Sequence, residues 1–325
     1  MRQQRSPGTQ AGVVLITAVL IVAIIATIAT HLSIGQQVWL RQTENLNGRA
    51  QAESLRQGAL GWIATLLVRD SKDTSNGSID YLGELWAGTI PPLPTDGGTI
   101  SVSITDAQSF FNLNNLVRIN GQQHDDHVSA FRRLLISQTL DPSLANALVD
   151  WIDTDSNSLS GGGENVDYLA RTPSYRVADQ KLTSFDELRL VKGFTPAVIK
   201  TLRQFATVLP KDGTTINVNT AKPEVLSVLF PVPPGNTLNT ALEERETKPF
   251  KATGDFQQKL PAGVTPLAGS IDVKTEYFLV NISIRIGRFE RRSEALIHRP
   301  YNKPASVMWQ RLNPTLPDPK KNEQS

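Results

Sequence analysis

The stretch Gly12-Val13-Val14-Leu15-Ile16-Thr17-Ala18-Val19-Leu20-Ile21-Val22-Ala23 decides how the rest of the chain is read. It lies in a run without charge from Ser6 to Leu40, interrupted only by His31, behind a short leader that holds Arg2 and Arg5. About twenty apolar residues suffice for one membrane-spanning helix, and 13–33 supply them. Arginines ahead of the span place the N-terminus in the cytoplasm and the body on the other side. The helix is expected to continue. Leu55, Ala59, Ile63 and Leu66 recur at three- and four-residue spacing among Arg49, Glu53, Arg56 and Gln57, and no proline interrupts 13–70. Such spacing is that of an amphipathic helix. Gly35, Gly48, Gly58 and Gly61 each weaken it by up to about 1 kcal/mol and permit bends.

Three readings fit the junction at Gly12. A secretory signal has an apolar core of about 7–15 residues and a small-residue cleavage site; this run is longer, and Ala26-Thr27-Ile28-Ala29-Thr30 resembles such a site only loosely. A signal anchor explains the length and gives no role to the glycine. A prepilin leader, cut on the cytoplasmic side directly after Gly12, leaves the apolar helix on the mature protein.

Composition narrows the class. The 325 residues are 39% hydrophobic and 20% charged, which suits a globular body on one anchor. The formal net charge of +2 equals the leader's two arginines, so the mature chain is near neutral and has no broad attraction for nucleic acid. Cysteine is absent, which excludes disulfides, thiolate metal sites and a cysteine nucleophile.

Ser71–Gly98, rich in Ser, Gly and Pro, reads as loop, and Thr99–Ile104 alternates as a strand with one buried face. Tyr277–Ile286 and Phe289–Ile297 flank Gly287–Arg288, the signature of a type II′ hairpin. A lone hairpin is marginal in water. It needs Thr99–Ile104 as a third strand and the helix over 50–70 as a cover, which makes 106–266 an insertion between neighbouring strands. Within it, Asp126–Gln138, Pro142–Ile152, Ser184–Val191, Pro196–Ala206 and Lys222–Leu229 read as helices, and the tail 300–325, with Pro300, Pro304, Pro314 and Pro317, reads as disordered.

Directly after Pro142–Ile152 comes Asp153-Thr-Asp155-Ser-Asn157-Ser-Leu159-Ser-Gly-Gly-Gly-Glu164. A calcium loop takes side-chain oxygens at its first, third and fifth positions, a backbone carbonyl at the seventh and a bidentate Glu at the twelfth. Asp153, Asp155, Asn157, Leu159 and Glu164 occupy those positions. The sixth is Ser158 rather than glycine, and three glycines stand where an exiting helix is usual. Asp150 and Asp167 add carboxylates on either side, so one or two Ca2+ ions are expected. The competing reading is a solvated acidic turn.

Phe185–Leu202 and the segment from Ile216 resemble helix–hairpin–helix units, which opens the alternative of a membrane-anchored DNA-binding protein. Such units hold phosphate on backbone N–H groups bared by a Gly-x-Gly hairpin. Here each hairpin keeps one glycine (Gly193, Gly235), and Glu243, Glu244 and Glu246 follow the second, so a packing role is expected. His124 and His127 read as an exposed N-terminal helical turn, and the tryptophans and Phe110–Phe111 as core or interface. No G-x-S-x-G, P-loop, H-E-x-x-H or dinucleotide motif occurs, so no enzyme is expected.

In this order the motifs resemble the K-type minor pseudopilins of bacterial type II secretion (general secretion pathway protein K). The residues that carry the resemblance are Gly12–Ala23, Asp106-Ala-Gln-Ser-Phe-Phe-Asn-Leu-Asn-Asn-Leu116, Asp150-Trp-Ile-Asp153 leading to Glu164, Pro173-Ser-Tyr-Arg-Val-Ala-Asp179, Glu187-Leu-Arg-Leu-Val-Lys-Gly193 and Asn217-Val-Asn-Thr-Ala221. The resemblance implies an α+β, pilin-like fold: a long N-terminal helix on a small antiparallel sheet (34–105 and 267–299), with a mainly α-helical calcium-binding domain (106–266) inserted between strands. It also implies prepilin-peptidase cleavage after Gly12 and N-methylation of Val13. By it, Asp153, Asp155, Asn157, Glu164 and Asp167, with Asp150 and Asp179, form the ligand region. The implied partners are the I and J minor pseudopilins, the major pseudopilin filament, the prepilin peptidase and the inner-membrane secretion platform, with no nucleic acid. Most pilin-like subunits carry Glu five residues after the cleavage site; here that residue is Thr17, which implies the first place in the assembly, at the tip.

Overall fold

The computed structural model describes residues 8–72, 78–301 and 303–312, the first four by their backbone alone. The leader to residue 7 and the tail from 313 lie outside the described residues. Helix α1 (Gly8–Asp70) is one uninterrupted element of 63 residues, about 95 Å long at 1.5 Å per residue. Residues 12–47 are exposed apart from Thr43, which is half-buried. From Gly48 onward Ala52, Leu60, Ile63 and Leu67 are buried, with Leu55, Ala59 and Leu66 on the flanks of that stripe. Burying a leucine or isoleucine contributes about 1.5–3 kcal/mol, more than a glycine removes, so the helix persists through its glycines.

The cover for that stripe is a five-stranded antiparallel sheet whose spatial order is its chain order: β1 (Leu93–Thr95), β2 (Gly98–Asp106), β3 (Tyr277–Ile286), β4 (Phe289–His298) and β5 (Ser306–Leu312). Ile286 opposes Phe289 across the expected turn, and Gly287 takes the positive φ of +53° that a type II′ turn requires at that place. Ile100, Val102, Ile104, Phe278, Val280, Ile282, Ile284 and Ala295 face α1, and Trp86 closes the end of this layer edge-on to Phe278 at 5.1 Å. The other sheet face, through Tyr277, Leu279, Leu296 and Trp309, meets Ala107 and Leu209 of the insertion.

Two strands depart from expectation. β1 lies in the segment read as loop; it is a three-residue edge strand, where Pro94 is tolerated because no neighbour needs its N–H. β5 lies in the segment read as a disordered tail. The prolines that suggested disorder bound Ser306–Leu312 without entering it, and the strand pairs antiparallel with β4 from Ser293↔Leu312 to His298↔Ser306, with one register shift between Leu296 and Ile297.

Between β2 and β3 stands the inserted body, with α2 (Asp125–Ser137), α3 (Leu144–Ile152), α4 (Asn165–Leu169), a 3-10 turn at Phe185–Leu190, α5 (Pro196–Leu202), α6 (Pro223–Ser227), α7 (Asn236–Thr247) and α8 (Thr253–Gln257). Ile216–Asn217 pairs in parallel with Ile271–Asp272, and Val273 sits in the same core, so the chain returns to the sheet after Val273 rather than near 266. Its apolar centre includes Phe111, Phe131, Leu134 and Trp151. Trp39 and Trp62 are exposed, so neither is the core residue that the sequence reading allowed.

Polar residues of the Asp106–Leu116 motif are buried because they replace missing backbone partners. Asn114 Nδ2 donates to the carbonyls of Leu182 (2.9 Å) and Leu209 (2.8 Å), and its Oδ1 accepts from Leu182 N at 2.8 Å. Asn115 Nδ2 donates to Thr214 O at 2.9 Å. Asp106, wholly enclosed, accepts from Asn217 Nδ2 (3.0 Å), Thr220 Oγ1 (2.5 Å), Thr275 Oγ1 (2.6 Å) and Gln108 N (2.7 Å). Burial pushes its carboxyl up to about 6. These bonds lock both crossings of the chain between sheet and insertion, since unpaired buried polar groups would each cost about 1–3 kcal/mol.

Candidate metal centre

The acidic loop is held open by its neighbours rather than by itself. α3 ends at Ile152 and delivers Asp153 at its C-terminus; α4 begins directly after Glu164. The sequence showed three glycines where an exiting helix is usual, yet a short one is present. Its start is set by Asp167 Oδ2, which accepts from Glu164 N at 3.0 Å. Asp150 is fully buried and serves as the loop's anchor: Oδ2 accepts from Leu159 N (3.0 Å) and Gly163 N (2.8 Å). A Cβ at Gly162 would lie 2.0 Å from that oxygen, so glycine is required there by contact. Asp155 Oδ1 closes a tight turn by accepting from Asn157 N at 2.7 Å.

With the frame so fixed, one carboxylate oxygen each of Asp153, Asp155 and Glu164 come within 4.8 Å of one another. Asp153 and Glu164 are buried, at 5% and 6% exposure, and Asp153 Oδ1 and both Glu164 oxygens have no hydrogen-bond partner. Burial first, then the charge of Asp155 and Asp150 beside it, pushes Asp153 up to about 7. Glu164 is pushed up to about 7 by burial and by Asp150 and Asp179. Asp179, exposed and in left-handed backbone at φ +47°, is thus near both, though outside the triad. Asn157 is exposed, and the Leu159 carbonyl accepts from Gly162 N at 2.9 Å. Buried carboxylate oxygens without donors are what a cation with oxygen ligands fits; a solvated acidic turn would leave them wet.

The other motifs resolve into packing. At the first hairpin, a Cβ on Gly193 would meet Leu144 Cδ2 at 2.6 Å, and Thr195 Oγ1 caps α5 by accepting from Val198 N at 3.3 Å. His127 is not exposed, as its turn suggested: it is 8% exposed, with its ring 4.5 Å from that of His124 and near Phe111. Burial and His124 lower its pKa to about 4.

Family models described as "Type II secretion system (T2SS), protein K" match residues 109–211 and 216–274. The type II secretion system protein K of Pseudomonas aeruginosa is 34% identical over 86% of this chain and 85% of its own length. The chain belongs to the type II secretion system protein K family. The family's protein from Aeromonas hydrophila is 32% identical over 94% of this chain and 97% of its own. A chain in the crystal structure of the GspK-GspI-GspJ complex from the enterotoxigenic Escherichia coli type 2 secretion system shares the fold, with TM-score 0.74 and 24% identity over 84% of this chain and all of that one. Membership sets aside the DNA-receptor alternative. The second family model starts at Ile216 and ends at Lys274, where the structure ends the insertion.

Proposed function

We propose that the chain is a non-catalytic minor pseudopilin at the tip of the secretion pseudopilus, held in the inner membrane by α1 with its body in the periplasm, and assembled with the I and J minor pseudopilins. The observation that carries this reading is the 36-residue stretch of α1 that leaves the folded head without a partner and bears the apolar run. Lipid covers part of such a helix before assembly, and neighbouring helices cover it afterwards. The solved complex of K, I and J subunits, whose fold this chain shares, supports the choice of partners.

Processing follows from the same stretch. The proposal requires prepilin-peptidase cleavage after Gly12 and methylation of the new Val13 amine. Mass spectrometry of the membrane-extracted protein is expected to give a methylated Val13 start; an intact Met1 would overturn the processing.

Thr17 supports the tip position. Its hydroxyl proton is directed back along the helix, toward Val14 O (2.9 Å) and Val13 O (3.0 Å), and the side chain carries no charge. A carboxylate there could neutralise a neighbouring subunit's ammonium in a medium where unpaired charge is costly. Without it, the subunit is suited to being first. Thr17→Glu is expected to impair initiation of pseudopili, counted after extraction; undiminished assembly and secretion would remove Thr17 from the argument.

The acidic loop is proposed to hold Ca2+ on Asp153, Asp155 and Glu164, with Asp179 and Asp167 alongside and Asp150 fixing the loop. The ion supplies the positive charge that the buried oxygens lack. In a chain without cysteine it is the main clamp on the insertion.

A further inference from the structure

We infer that the rim of the head nearest the membrane is a docking surface for anionic lipid headgroups. α1 leaves the sheet at Gly48, where an added Cβ would meet Phe289 Cβ at 3.3 Å, and Gln51 Nε2 donates to Asp96 O at 2.9 Å. The β1–β2 and β3–β4 turns are joined by Gly287 N donating to Gly97 O at 3.1 Å. Together they form the rim from which the bare helix runs toward the bilayer.

The height of that rim follows from the sequence. No side chain carries a formal charge from Val13 to Leu40, about 42 Å of helix. That exceeds the ~30 Å hydrocarbon layer and fills the ~40–45 Å bilayer with its headgroups. Trp39, 68% exposed, stands at the end of the run as an interfacial aromatic, with Arg41 next to it. From Arg41 to Gly48 is about 10 Å, close to the Debye length of ~8 Å at physiological salt. An overlong span also tilts, which lowers the rim further.

The rim is built of arginine. Arg285, Arg288 and Arg292 are exposed on the hairpin, and Arg49 is exposed on α1. The facing acids are Asp96, Glu44 and Glu290, the last shared between Arg292 at 2.9 Å and Arg285 at 3.7 Å. Glu53 is already engaged by Arg56 and Arg291. Arg41, Arg49 and Arg288 make no ion pair among the described residues, and guanidinium forks suit phosphate oxygens. An anionic leaflet is the partner these positions favour, because α1 holds the rim above the bilayer for as long as the subunit waits there. The contact would restrain the head until the helix is drawn out.

The absence of cysteine allows a direct test with the full chain in nanodiscs. A fluorophore at Thr99→Cys, exposed and opposite Arg285, reports the rim; one at Gln37→Cys reports the anchor. Nitroxide on lipid headgroups is expected to quench the rim label more in phosphatidylcholine mixed with phosphatidylglycerol than in phosphatidylcholine alone. High salt and the R285Q/R288Q/R292Q variant are expected to abolish the difference, and the corresponding triple lysine variant to keep it. A rim label indifferent to lipid charge, as an acidic protein partner would leave it, overturns the inference while the anchor stands. An anchor label that is not quenched overturns the spanning helix and, with it, this inference.

Discussion

Replacing Arg299 by methionine is expected to lower the unfolding free energy by about 3–5 kcal/mol at neutral pH, the loss typical of removing one partner of a buried ion pair. The guanidinium joins four segments at once. Nη1 donates to Leu67 O and Asp70 Oδ2, both at 3.1 Å; Nη2 donates to Asp80 Oδ1 at 2.5 Å and Thr275 O at 2.8 Å; the head lies over the Phe278 ring at 4.6 Å. Methionine retains much of the volume, so the loss is electrostatic. Burial already pushes the Asp80 carboxyl up, and Arg299 is the largest influence holding it down. In the variant the folded pKa of Asp80 rises further above its unfolded value. The destabilisation is therefore full above that folded pKa and shrinks as pH falls through it, because the acid can take a proton. Urea unfolding of the full chain in detergent, at neutral and mildly acidic pH, reads both. Equal midpoints for variant and wild type at neutral pH would show that the network contributes nothing. Lysine is expected to recover only part of the loss, since it lacks the fork that reaches Asp70 and Asp80 together.

How far the sequence carried this structure depends on the kind of signal. α1, β2 and the β3–β4 hairpin were legible because each has strict periodicity or a turn residue with one conformational use, Gly287. β1 and β5 were not, because three residues around Pro94 give no alternation and the prolines near 300 and 314 dominate the composition of their window. α7 was missed because its faces carry little contrast: Leu238, Ala241 and Leu242 are buried among exposed glutamates. In the acidic loop, spacing placed Asp153, Asp155 and Glu164 correctly together. It could not assign Asp150 to anchoring the loop, since that depends on the N–H groups of Leu159 and Gly163 arriving in space. Nor could it bury His127: the two aspartates before it, Asp125 and Asp126, read as solvent, while the rings of His124 at 4.5 Å and Phe111 at 6.2 Å pack beside it. The buried asparagines of the 106–116 motif were visible only as a pattern; their partners Leu182, Leu209 and Thr214 lie some seventy to a hundred positions away.

Calcium is expected to invert the rank of the wild type and a D153N/E164Q variant. With a chelator present, the wild type buries two carboxyls pushed up to about 7 from their ordinary 3.8 and 4.5. Its folded state then binds more protons than its unfolded state between about pH 4 and pH 7, so this site's contribution is most favourable in acid and declines as pH rises through that window. The variant has no such carboxyls. It is expected to melt higher than the wild type in chelator at neutral pH, and to lack this site's decline. With calcium added the order reverses. An ion that binds only the folded wild type stabilises it by about 2.7 kcal/mol at a hundredfold excess over Kd and about 4.1 kcal/mol at a thousandfold, and because the ligands must be deprotonated the gain grows with pH. The variant, with amide oxygens in place of two charges, gains little. Cavity or packing effects of near-isosteric substitutions would shift the variant in the same direction under both conditions; only a cation site makes the sign depend on the ion. Thermal unfolding of the full chain in detergent, with chelator and with calcium, decides it: a rank that does not change between the two conditions would leave the loop as an acidic turn and remove the metal from the proposal.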